Sequence, residues 1–273
     1  MKKISFLLFT IVLFNNLIYT QEDKNLYKIN KLIALKDSIE SIHPALENLY
    51  PIAVFVDNNF RIYEYEEAND TYKMIKTTPS LRPVINGIRA AFPLEENDYK
   101  MTCVVTADAF ENLKDYSVIF HEFIHCFQAE TIEYELKDSI DIYKIEMEAK
   151  NYMWEINYDF PYNDSLINKL YTLFIYKLDK DNLAEAEKIH DELKQNLSPY
   201  NYQFLVWVEW KEGSARWIEN LIREKLNVDE NIAGKSKFSR TSFYYGGSNY
   251  IKLLSQKYKT KNLKSLFELI YNK

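Results

Sequence analysis

The sequence predicts an α+β fold, with a small mixed or antiparallel sheet near the N-terminus and a mostly helical C-terminal half. Three observations carry this. Short β-branched and aromatic runs bounded by turn residues, Ile52–Val56 first among them, fall before residue 107. From the run His121-Glu122-Phe123-Ile124-His125 onward, apolar residues recur instead at the three- and four-residue spacing of helices that bury one face. Apolar residues form 47% and aromatic residues 15% of the 273, enough for a packed core.

Taken in order, residues 1–20 read as a secretory signal outside the fold. Lys2-Lys3 give a positive start, Ile4 to Leu13 an apolar stretch, and Asn15-Asn16 interrupt it before Gln21-Glu22-Asp23. The stretch is too short for a membrane span, so no stable span and a secreted or periplasmic location are expected. Lacking a small-x-small cleavage pattern, a retained N-terminal anchor is the alternative. Residues 21–273 are expected to form a single domain, sheet-containing over 50–130 and helical over 131–273.

Between Asn25 and Glu47, Leu26, Ile29, Leu32, Ile33, Ile39, Ile42 and Leu46 mark an amphipathic helix that bends or ends near His43-Pro44. His43 then belongs to a helix end rather than to a metal site. Ile52–Val56, between Pro51 and Asp57-Asn58-Asn59, is a strand and turn, and residues 60–65 and 72–76 continue an antiparallel sheet. Residues 79–93, with three prolines and Gly87, read as an irregular connection containing a short helical turn. Lys100–Thr106 alternates as a strand. Helices are expected over 139–158, 166–178, 183–197, 204–219, 250–258 and 263–271, with Gly246-Gly247 marking a turn. His190, among Glu185, Glu187, Lys188 and Asp191, reads as part of a solvated helix face.

The 121–125 run sets two of the chain's four histidines four residues apart. On a helix those positions share one face, so two imidazoles can grip one metal ion, with Glu122 beside the open coordination position. The flanking Ile119, Phe120, Phe123, Ile124 and Phe127 supply an apolar helix surface, and Asp115-Tyr116-Ser117 offers N-cap chemistry upstream. Cys103 and Cys126 are the only cysteines and read as small buried apolar residues, with one bridge between them as the alternative. Cys126 lies about 100° round the helix from His125, off the coordinating face.

Catalytic zinc commonly takes three protein ligands and keeps one position open. Thr131 stands where longer motifs of this kind carry a third histidine, so a carboxylate is expected. Two stretches offer one. Glu146-Met147-Glu148-Ala149 begins 21 residues after His125, and Glu212-Gly213-Ser214-Ala215-Arg216-Trp217-Ile218-Glu219 begins 87 residues after it. With these, the sequence resembles the gluzincins, the H-E-x-x-H peptidases whose third ligand is a glutamate, and predicted secreted bacterial zinc peptidases with an E-G-x-A-x-x-x-E segment.

The resemblance implies a zincin-like fold and one Zn2+ on His121, His125 and Glu212, with Glu146 as the competing ligand. Glu122 would be the general base that deprotonates the activated water. Tyr244, in Phe243-Tyr244-Tyr245-Gly246-Gly247, resembles a Tyr-x-x-Gly element and would donate to the oxyanion. Gly213 would allow close backbone approach, and Glu219 or Glu209 could hold the second nitrogen of a ligand histidine. Strand 101–106 would be the sheet edge that binds an extended peptide or protein substrate.

The net charge of −6 and pI near 5.4 argue against a nucleic-acid partner. The expected activity is that of a secreted zinc metallopeptidase. The alternatives are a zinc hydrolase of a non-peptide amide and a zincin-like binding or structural module, which would not need Glu122.

Overall fold

The computed structural model describes residues 24–272, so the expected signal at 1–20 lies outside the described residues. The chain is mixed α+β. Helix α1, Lys24–Ile39, buries Ile29, Leu32 and Ile39 and gives way to short 3-10 turns on either side of His43. His43 caps the second turn by accepting from the Ala45 amide through Nδ1, and its Nε2 reaches the Lys261 carbonyl at 2.8 Å.

Five strands follow: β1 Ile52–Val56, β2 Asn59–Glu66, β3 Thr71–Pro79, β4 Arg89–Leu94 and β5 Lys100–Thr106. Their order across the sheet is β3-β2-β1-β5-β4, with β1 and β5 parallel and the other pairs antiparallel. β4 begins within the 79–93 segment expected to be irregular. Its Pro93 lacks an N–H, which suits an edge strand. The same pairing corrects the expected substrate edge: β5 lies between β1 and β4, so β4 is the edge on that side.

Period-two alternation splits the strands between two apolar layers. Ile52, Val54, Tyr63, Cys103 and Val105 face the helices, whereas Ala53, Phe60, Ile62, Leu94 and Val104 pack on the far face with Val84 and Ile88. Cys103 and Cys126 are buried free thiols in the helix-side layer, with no bridge between them.

Helix α2, Leu113–Thr131, carries the His121–His125 run across β5 and β4. Its N-cap is Asn112, three residues before Asp115. Asn112 accepts from the Lys114 and Asp115 amides, and Asp115 accepts from the Asn112 amide, a reciprocal capping box. Short helices α3, Glu133–Asp138, α4, Asp141–Glu148, and α5, Trp154–Asn157, come next. The single helix expected over 139–158 is broken between the last two, where Lys150 takes a left-handed φ of 58°.

Helices α6, Ser165–Leu178, and α7, Leu183–Asn196, form a hairpin capped by Asp164 and Asn182. They lead to α8, Pro199–Lys225, a 27-residue helix buried along most of its length. α9, Arg240–Tyr258, packs along it, and α10, Leu263–Tyr271, closes the chain. Gly246-Gly247 lies inside α9, so the expected turn there is absent. His190 is also corrected. It is 1% exposed, with Nε2 2.9 Å from Glu209 Oε2, because α8 brings a buried carboxylate to the inward face of a helix whose Lys188 and Asp191 are exposed. Among the described residues no helix is long and apolar enough to cross a membrane.

Candidate metal centre

Helices α2 and α8 cross so that one turn of each faces the other. His121, His125 and Glu212 project into the gap. The two Nε2 atoms are 3.2 Å apart, and Glu212 Oε2 lies 3.7 Å from His121 Nε2 and 3.4 Å from His125 Nε2. Neighbouring donors around a tetrahedral zinc with bonds of about 2.0–2.1 Å stand about 3.3–3.4 Å apart. The triangle therefore has the size of one face of that tetrahedron.

The tautomers follow from the partners. Gln128 Nε2 donates to the Lys211 carbonyl and to Ser214 Oγ at 3.0 and 2.8 Å, which orients the amide and turns its Oε1 toward His125 Nδ1, 2.8 Å away. His125 therefore carries its proton on Nδ1. His121 Nδ1 donates to Glu219 Oε2 at 3.0 Å. When both rings are neutral neither Nε2 carries a proton, and two lone pairs and a carboxylate oxygen then converge on one point. A donor set of that kind fits a divalent cation.

The surroundings favour positive charge at that point. Burial opposes an imidazolium at His121, yet Glu212 and Glu219 outweigh it and raise the pKa to about 9. Burial also opposes the Glu212 carboxylate, but His125, His121 and Arg240 hold it well below the usual range. Glu219 is similarly disfavoured by burial and is brought to about 2 by His121, Arg216 and Asn231. Arg216, Arg223 and Asn231 reach its oxygens at 3.0, 2.8 and 2.9 Å. Glu122 is 7% exposed, and its carboxyl is pushed up by burial and by Glu212 and Glu219, against the pull of the two imidazoles. A carboxylate raised in this way is a better proton acceptor at neutral pH.

Tyr244 lies beside the centre. Burial and the Glu212 charge raise its phenol, so it stays protonated. Its ring has the guanidinium carbons of Arg240 and Arg216 5.1 and 5.9 Å from its centroid. Arg240 Nη1 donates to the Tyr244 hydroxyl and Nη2 to Glu212 Oε1.

Glu146 is not brought to this site. Its Oε2 accepts from Asn151 Nδ2 at 2.7 Å and its carbonyl from the Asn151 amide at 2.8 Å, so it caps the break after α4. Glu209 holds His190, leaving Glu219 as the carboxylate behind His121. Sequence reasoning missed Gln128 and Arg240. Gln128 stands three residues after His125 and Arg240 four before Tyr244, both same-face spacings that could have pointed to them.

Comparison with family models, curated proteins and solved structures finds no match for this chain.

Proposed function

We propose that this chain is a secreted, zincin-like zinc metallopeptidase of the gluzincin type. The observation supporting this most strongly is the convergence of His121 Nε2, His125 Nε2 and Glu212 Oε2, with both imidazole Nδ1 protons committed elsewhere. The H-E-x-x-H run adds a buried carboxylate on the same helix, which a purely structural metal site would not need.

A bound zinc ion would lower the pKa of a water molecule and polarise the scissile carbonyl. Glu122 takes the attacking water's proton and returns it to the leaving amine. Tyr244, kept protonated, donates a hydrogen bond to the oxygen that gains negative charge. The substrate is an extended peptide or protein segment paired to the free edge of β4, next to α2. The N-terminal sequence, read as an export signal, supports an activity outside the cytoplasm.

The test compares wild type and Glu122→Gln for zinc content and for cleavage of a peptide library. We expect equal zinc and a rate lower by roughly 10²–10⁴ in the variant. A wild type that binds zinc but cleaves no peptide would favour a non-peptide amide substrate or a binding module. A wild type that binds no zinc would end the proposal.

A further inference from the structure

Arg240 opens α9 and is not itself a metal donor, yet all three nitrogens of its guanidinium are engaged. Nε donates to the Glu155 carbonyl at 2.7 Å, Nη1 to the Tyr244 hydroxyl and Nη2 to Glu212 Oε1 at 3.2 Å. Glu155 is itself fixed, its carboxylate held by Lys137 and Lys211 at 2.8 and 2.7 Å. The guanidinium is thus anchored at its Nε end and spans two groups at its other end.

The two oxygens of Glu212 face different ways. Oε2 points at the imidazole pair and Oε1 at Arg240. A carboxylate released from such a partner can bind a cation through both oxygens. That would fill the position a catalytic site must keep open for water. We infer that Arg240 is the positioning residue that keeps Glu212 a one-oxygen ligand and, through the same guanidinium, holds the Tyr244 hydroxyl beside that carboxylate. This rests on the metal-centre reading above. The planar fork is essential to it: a lysine ammonium is a single point and cannot occupy both oxygens in fixed directions.

The same contact also shapes Tyr244. The hydroxyl accepts from Arg240 and donates to Glu212, and the positive charge of Arg240 makes its proton a stronger donor. Arg240 therefore links ligand geometry to oxyanion stabilisation without touching the cation.

The experiment loads wild type, Arg240→Met, Arg240→Lys and Tyr244→Phe with Co2+, whose visible bands weaken as coordination rises above four. We expect a several-fold loss of visible absorptivity in Arg240→Met and Arg240→Lys, and a wild-type spectrum in Tyr244→Phe. Circular dichroism checks the fold of each. Should Arg240→Met fail to fold, Arg240→Lys, which keeps the charge, carries the same expectation. An unchanged spectrum in a folded Arg240 variant would overturn the inference while leaving the metal site intact. A wild type that takes up no Co2+ would overturn the metal reading and this inference with it.

Discussion

Gly213 and Gly247 meet backbone to backbone: a Cβ built on Gly213 would lie 2.6 Å from the Gly247 carbonyl carbon and 2.8 Å from its Cα. Gly247 is as tightly placed against the preceding turn of α8: a Cβ on it would lie 2.3 Å from the Glu209 carbonyl oxygen. Both obstacles are main-chain atoms, which cannot rotate aside. This approach holds α9 close enough to α8 for Arg240 and Tyr244 to reach Glu212.

Gly213→Ala should therefore harm stability and the site together. Forcing a methyl group into that contact costs about 1–3 kcal/mol or more. It also drives α9 from α8 next to Glu212. Urea denaturation should show the lower stability, and chelator competition should show weaker zinc binding. Normal zinc affinity in a destabilised Gly213→Ala would separate the helix contact from the site.

Gln128 fixes the His125 tautomer, because its amide is oriented by Lys211 and Ser214. Replacing it with leucine removes the acceptor for His125 Nδ1–H and the donor to the Lys211 carbonyl. Losing such an outer partner typically weakens metal binding about 10–100-fold. Competition with a chromogenic chelator would measure this; unchanged affinity in Gln128→Leu would show that the imidazole is held by other contacts.

How much of this could be read from sequence depends on how local the cause is. Ile52–Val56 was legible because a β-branched run sits between Pro51 and Asp57-Asn58, and Leu263–Tyr271 because its apolar spacing is strictly helical. The His121–His125 pair and its neighbour Glu122 were legible for the same reason, since one helix turn sets their geometry. Gly246-Gly247 reads locally as a turn, but packing against Glu209 and Gly213 overrides that local preference. β4 was missed because Pro93 and small alanines weaken its strand pattern, and its pairing with β5 decides the matter. The buried state of His190 was invisible, for its partner Glu209 lies on another helix.

The competition between the two carboxylates can be settled directly. Glu212 Oε2 lies within 3.7 Å of both imidazole Nε2 atoms, whereas Glu146 is hydrogen-bonded to Asn151 at a helix break. Glu212→Ala should abolish stoichiometric zinc, and Glu146→Ala should leave zinc unchanged with a small loss of stability. Metal analysis of the dialysed proteins, with thermal melts alongside, reads both. Zinc loss in Glu146→Ala alone would reverse the ligand assignment.

His43 gives a pH dependence separate from the candidate metal centre. It is buried between the Lys261 carbonyl and the Ala45 amide, with its ring against Trp217. Burial lowers its pKa from 6.5 to about 4; the Lys261 carbonyl opposes that shift and the Lys261 charge adds to it. Its Nδ1 accepts from Ala45, so the folded state needs the neutral ring. Between those values the unfolded chain binds a proton that the folded chain refuses, so stability falls as pH drops below 6.5. The full loss by pH 4 is on the order of 2–3 kcal/mol. Most carboxylates begin to titrate below pH 5, so the clean window is pH 7 to 5. His121, with its pKa raised, contributes in the opposite direction there, and only a difference between proteins isolates His43. His43→Asn keeps an N-cap acceptor without the ionisable ring. Chemical denaturation of both proteins at pH 7 and pH 5 should show wild type losing more stability than His43→Asn, and equal losses would mean that His43 accepts a proton in place.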